Sequence, residues 1–89
     1  MAVEWSIESL GDLDRIWEFN ASHDVDRADL IDLDLQARAL KLSAMPHIGR
    51  PGKSGTREYS MPDIQYVLAY SVESSGITIL SVRSTRERT

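Results

Sequence analysis

The chain has 89 residues with a formal net charge of -4, 42% apolar residues and no cysteine. That length suits one domain, read here as residues 1–89, and its small core makes stability depend on a partner or staple. Without cysteine there is no disulfide and no thiolate site for zinc or iron–sulfur; no cofactor or metal is expected. The start, "MAVEWSIESLGDLDR", lacks the basic head and apolar run of a secretory signal. No stretch approaches the ~20 apolar residues that span a bilayer. The chain reads as soluble and cytoplasmic, with no membrane partner.

Net charge conceals a polar molecule. Residues 1–35 hold ten acidic residues and two arginines, a charge of -8, whereas residues 36–89 hold four acidic and eight basic residues, a charge of +4. The basic half is suited to an anionic surface and the acidic half is not. Two solvated faces that only confer solubility are the plainer explanation.

"AVEWS" alternates Val3 and Trp5 with polar residues, the period of a half-buried strand. Ser6 then caps a helix, with Glu8 in the first turn where the helix dipole favours an anion. Leu10, Leu13, Ile16 and Trp17 are expected on its apolar face, and Gly11 weakens it slightly. After the polar run "NASHD", Asp24 caps a second helix over about Val25 to Ser43. Ala28, Ile31, Leu35, Ala39 and Leu42 recur at spacings of three and four and make its buried stripe. The short link predicts an antiparallel helical hairpin, and Pro46 follows the second helix.

Beyond residue 46 the period changes. "TREYSM", "DIQYVLAYSV" and "GITILSVRS" read as strands rich in β-branched and aromatic residues, joined by turns at Pro62-Asp63 and Ser74-Ser75-Gly76. Ile64, Tyr66, Leu68 and Tyr70 share one face; Val67 and Ala69 share the other. The expected fold class is α+β: an N-terminal strand, an antiparallel helical hairpin, then a three-stranded antiparallel sheet. Between helix and sheet lies "MPHIGRPGKSG", where Gly49, Gly52 and Gly55 permit positive φ and Pro51 fixes one residue. This loop either just connects helix to strand or also cradles an anion with Arg50, Lys53 and Arg57.

"MPHIGRPGKSGTREY", "YVLAYSV" and "ITILSVRSTR", with the opening "VEWSIESLGDLDRIWEF", resemble the RelE/ParE toxin superfamily of bacterial type II toxin–antitoxin systems. Within it, RelE-like members cut messenger RNA on the ribosome, and ParE-like members poison DNA gyrase by binding. RelE-like relatives place an arginine in a "Y-R-L-x-Y" strand, where this chain has Val67, and a His or Tyr at the C-terminal end, where it has "SVRSTRERT". Such cleavage needs proton-transfer groups and a cation for the developing charge, and losing the cation alone costs about a hundredfold or more. The ParE-like branch is therefore the better match, and no catalytic residue is assigned.

The resemblance implies a gyrase-binding surface on the C-terminal half, for which Arg57, Arg83, Arg86 and Arg88 are the candidates. ParE-like relatives carry a histidine where this chain has Ser84. It also implies a hetero-oligomer with a cognate antitoxin, ParD-like and of the ribbon–helix–helix type, that covers Trp17, Phe19 and Leu30. Two alternatives remain: a ribosome-dependent ribonuclease using Arg57, Arg86 and His47, and an attenuated member without toxicity.

Overall fold

The computed structural model of the protein describes residues 1–86. Strand β1 (Ala2–Trp5) leads into helices α1 (Ile7–Ala21) and α2 (Val25–Lys41). Strands β2 (Arg50–Pro51), β3 (Thr56–Met61), β4 (Tyr66–Glu73) and β5 (Gly76–Ser84) follow, with a 3-10 turn at Lys53–Gly55 before β3. They form one sheet of five strands in the order β1-β5-β4-β3-β2. The expected three-stranded sheet is thus too small. The N-terminal strand joins it in parallel with β5, Val3 opposite Ile77 and Trp5 opposite Ile79. At the far edge β2 pairs with β3 through Arg50–Glu58 and Pro51–Arg57. Two residues containing a proline carry no alternation, so nothing local marks β2 as a strand.

Both helices start where side-chain oxygens meet free backbone amides. The Ser9 amide donates to Ser6 Oγ at 3.1 Å, and the Arg27 amide donates to Asp24 Oδ1 at 3.2 Å. These caps satisfy donors that the first turn otherwise leaves open. Ser6 is also the junction with the sheet: its amide donates to Ile79 O at 3.0 Å and its hydroxyl to Leu80 O at 3.3 Å. Helix α2 stops at Lys41, two residues early, with Leu42 as its C-cap.

The expected stripe of α2 is the buried one: Ala28, Ile31, Leu35, Ala39 and Leu42 all lie in the core. Helix α1 differs. Its inward positions are Ser9, Leu13, Ile16 and Asn20, whereas Leu10 is 48% exposed. The two polar residues enter the core because each is hydrogen-bonded. Ser9 Oγ donates to Ser6 O at 2.8 Å, and Asn20 Nδ2 donates to Ile16 O at 2.8 Å and to Tyr66 Oη at 3.2 Å. A bonded polar group loses little on burial, so apolar spacing alone misplaces this helix by part of a turn.

Against these helices the sheet packs Tyr66, Leu68 and Tyr70 of β4, Ile77, Ile79 and Val82 of β5, and Met61 of β3. A bulge interrupts the β4–β5 ladder: Tyr70 faces Ile79 and Ala69 faces Ser81, so Leu80 has no opposite number. The extra residue lets Ile79 and Val82 both face the core despite odd spacing. Strand β4 begins at Tyr66, not Asp63, because residues 62–65 form the turn. Gln65 closes it at φ 65, and its amide donates to Met61 O at 2.8 Å.

Arg38 ties α2 to that turn. Its Nε donates to Asp34 Oδ1 at 2.9 Å, and its Nη1 to Asp63 Oδ1 at 2.8 Å. These bonds, those from Asp63 and then Asp34, raise the Arg38 pKa further, and the Arg38 bond holds the Asp63 carboxyl below its ordinary value.

Two outcomes test this packing. Leu35→Ala, at a fully buried position, is expected to cost about 2–5 kcal/mol in urea unfolding. Asp63 has a depressed folded pKa, so its contribution is present above its unfolded pKa and lost as pH falls through the folded one. A small loss of stability is expected as pH drops below the ordinary aspartate range. It is reduced by salt, since Asp63 is largely exposed. Asp63→Asn removes that part of the acid decline; an unchanged acid limb assigns it elsewhere.

Candidate functional site

The glycine-rich loop is held by one buried phenol. Tyr70 Oη donates to Pro46 O at 2.9 Å and accepts from the Gly49 amide at 2.9 Å. A Cβ on Gly49 would lie 2.7 Å from that Oη and 2.8 Å from Glu58 O. Close approach, not positive φ, requires glycine there. The expectation of left-handed backbone holds at Gly55 (φ 76), but its companion is Ser54 (φ 53) and not Gly49 or Gly52. The turn closes through the Gly52 amide on Thr56 O at 2.8 Å and Thr56 Oγ1 on Lys53 O at 2.6 Å.

Arg57 belongs to the same assembly. Its Nη1 donates to Gly49 O at 2.6 Å and to His47 O at 3.3 Å. The half-buried guanidinium thus faces backbone carbonyls, which are acceptors and repel an anion. The other arginines differ. Arg83 and Arg50 approach Glu58 from two sides, each at 3.4 Å, on the sheet face turned away from the helices. Arg86 places its guanidinium carbon 5.8 Å from the centre of the Phe19 ring, within cation–π range. Arg88 lies outside the described residues.

Arg83 and Arg86 both border a cleft of about 670 Å³ between α1 and the end of β5, Arg83 with its guanidinium turned to Glu58 on the outer sheet face. Ile16, Phe19, Tyr66 and Val82 supply apolar walls, and Arg15 adds a third cation to the lining. Arg15 was not among the sequence candidates. Its place on α1, inside the acidic half, gave no hint that the helix runs beside β5. Arg57 is not part of this cleft. It sits opposite Tyr70, whereas Arg86 follows Ser84, which faces Tyr66. At ~3.3 Å per residue this separates them by roughly 20 Å along the strands.

The two histidines do not meet either. His23 lies in the turn between the helices, its ring 5.6 Å from that of Phe19, and His47 is exposed in the glycine-rich loop. Tyr66 and Tyr70 are buried core residues. Among the described residues, no group of three or more His, Asp or Glu is placed to hold a metal ion, and no helix is long and apolar enough to cross a membrane.

The aromatic and apolar candidates fall on separate surfaces. Trp17 is half-buried against α2, with Nε1 donating to Asp29 Oδ1 at 2.8 Å. Phe19 faces the cleft. Leu30 is 68% exposed, in a second apolar stripe on α2 with Leu33, Ala37 and Leu40. These residues recur at spacings of three, four and three on the side opposite the core stripe. Of this second stripe the sequence reading named only Leu30.

One prediction separates loop staple from surface cation. Arg57→Ala and Tyr70→Phe leave buried or half-buried backbone groups unpaired, and each is expected to cost about 1–3 kcal/mol in thermal or urea unfolding. Arg86→Ala at an exposed position is expected to change stability by less than about 0.5 kcal/mol. Equal effects at both arginines would remove the distinction.

The sequence profile of the family described as "ParE toxin of type II toxin-antitoxin system, parDE" matches residues 3–89. Among solved structures, the chain is similar to one titled "Chromosomal ParDE TA system from P. aeruginosa". That match has a TM-score of 0.86 at 21% identity and covers 97% of each chain. It is also similar to the isolated E. coli RelE toxin, with a TM-score of 0.67 at 14% identity, over 98% of this chain and 85% of that one. At these identities the two structures establish the fold. No curated protein sequence matches the chain.

Proposed function

Because the chain belongs to the ParE toxin family of type II toxin–antitoxin systems, we propose that it arrests DNA gyrase by binding. The supporting observation is one partly apolar cleft bordered by Arg15, Arg83 and Arg86. Cations at a rim and aromatic or aliphatic walls beneath suit a macromolecular contact, where arginine and aromatic anchors carry most of the energy. Arg50 and Arg83 on the neighbouring sheet face extend the positive surface. Arg57 contributes indirectly, by keeping the loop in place.

Geometry argues against the ribonuclease alternative. Attack by a 2′-hydroxyl needs a base, an acid and a cation around one phosphate. His47 and Arg57 share the loop end, and Arg57 is already engaged by two carbonyls. Arg86 is at the other end of the sheet, over Phe19.

The neutralising partner in this reading is a ParD-like antitoxin of the ribbon–helix–helix type. A helix of that partner covers Leu30, Leu33 and Leu40, exposed by 68, 63 and 64%. A row of large apolar residues at helical spacing suits helix-on-helix docking. Trp17, bonded to Asp29 of α2, lies beside that helix, whereas Phe19 faces the cleft and is not part of this surface.

Purified gyrase tests the target. The protein is expected to inhibit supercoiling and to trap cleaved DNA, and Arg83→Ala with Arg86→Ala to weaken this by about tenfold or more, as loss of arginine anchors does. Unchanged far-UV circular dichroism keeps that loss distinct from unfolding. No inhibition by the unmodified protein, with normal growth on induction without antitoxin, overturns the toxin mechanism and leaves the attenuated reading. Cleavage of transcripts on induction would favour the ribonuclease.

A further inference from the structure

Helix α2 carries two apolar stripes, and the fold buries only one of them. The outer stripe is Leu30, Leu33, Ala37 and Leu40, all exposed, and its spacing of three, four and three reads the same in both directions. A second α2 laid antiparallel on the first therefore sets Leu30 opposite Leu40 and Leu33 opposite Ala37, each contact made twice about a two-fold axis level with Leu35. A large residue meeting a small one lets the two helices close together.

Charge selects the same direction. Residues 24–34 hold Asp24, Asp26, Asp29, Asp32 and Asp34 against Arg27, whereas residues 35–44 hold Arg38 and Lys41 and no acidic residue. A parallel pair would set aspartates beside aspartates and align the two helix dipoles. An antiparallel pair brings the acidic start of each copy beside the basic end of the other, with Asp26 within one turn of Lys41 of the second copy. Asp34 comes near its own image, but Arg38 already binds it at 2.9 Å.

We propose that the free chain pairs with a second copy of itself through this outer stripe of α2, in an antiparallel, two-fold arrangement. The pairing stands apart from the gyrase reading. It uses the face assigned above to the antitoxin helix, so under that reading the two occupants exclude one another. One helix on one helix covers less than the ~800 Å² per partner of a standard interface, which places dissociation at about 10–100 µM. A pair this weak forms where the chain accumulates and gives way to a tighter occupant.

Sedimentation velocity of the full chain over about 5–500 µM spans that range. Monomer is expected at the low end and dimer at the high end. Leu33→Glu puts a carboxylate at the centre of each copy's stripe and is expected to weaken pairing more than about tenfold, with far-UV circular dichroism unchanged. Phe19→Ser, in the cleft, is expected to leave pairing as it was. Lys41→Glu is expected to weaken it severalfold, and Asp26→Lys added to Lys41→Glu to restore it.

Because the chain has no cysteine, introduced cysteines report the direction. Leu30→Cys mixed with Leu40→Cys is expected to form a disulfide-linked dimer. Leu30→Cys alone is not, since its image lies roughly 15 Å away at 1.5 Å per residue. A monomer throughout the range, a dimer insensitive to Leu33→Glu or equally weakened by Phe19→Ser, or ready cross-linking of Leu30→Cys with itself overturns the proposal. None of these readouts uses gyrase, antitoxin or growth. Failure here leaves the toxin reading in place, and failure of that reading leaves the pairing in place.

Discussion

Ser6 is the joint on which the arrangement turns. Its amide continues the β1–β5 pairing by donating to Ile79 O, while its hydroxyl accepts from the Ser9 amide and starts α1. One residue thus ends a strand and begins a helix, leaving the chain no slack to vary the angle between them. Helix α1 must set off alongside β5. Asp12, one and a half turns on, then reaches the Val82 amide, and Ile16 and Phe19 reach the wall of the cleft. Because β1 ends at that joint, the second half of β5 has a helix for a neighbour where a strand would otherwise lie.

A second constraint acts at the opposite edge. Tyr70 carries its hydroxyl through the core to the glycine-rich loop, and Arg57 binds the same loop from β3. Three glycines and two prolines between Pro46 and Gly55 would otherwise leave an entropically costly connection. Held this way, the loop delivers β2 to the sheet and directs Arg50 toward Glu58. The basic residues that make this segment conspicuous therefore divide by role. Arg57 is structural, Arg50 and Arg83 share Glu58 on the outer sheet face, and Arg86 lies over Phe19 beyond the end of β5.

Charge follows the architecture. The acidic first half of the sequence forms β1 and most of the helical hairpin, and the later basic half supplies the sheet's arginines. Arg15 is the exception, since α1 lies against β5 and brings it to the basic end. An acidic protein thereby carries a local cationic rim, and at physiological ionic strength the ~8 Å screening length lets such a rim act independently of the net charge.

The order of strand, helices and strands, the caps at Ser6 and Asp24 and the core stripe of α2 were legible in the residues, because each depends on neighbours a few positions apart. So was the family, whose motifs are ordered along the chain. The parallel docking of β1, the two-residue β2, the bulge at Leu80 and the buried Ser9 and Asn20 were decided by tertiary structure. Each is a matter of which distant groups a backbone or side chain meets, and spacing along the chain carries no record of that. The arginines make the same point. Arg57 and Arg86 are alike as letters, and only folding placed one beneath two carbonyls and the other over an aromatic ring.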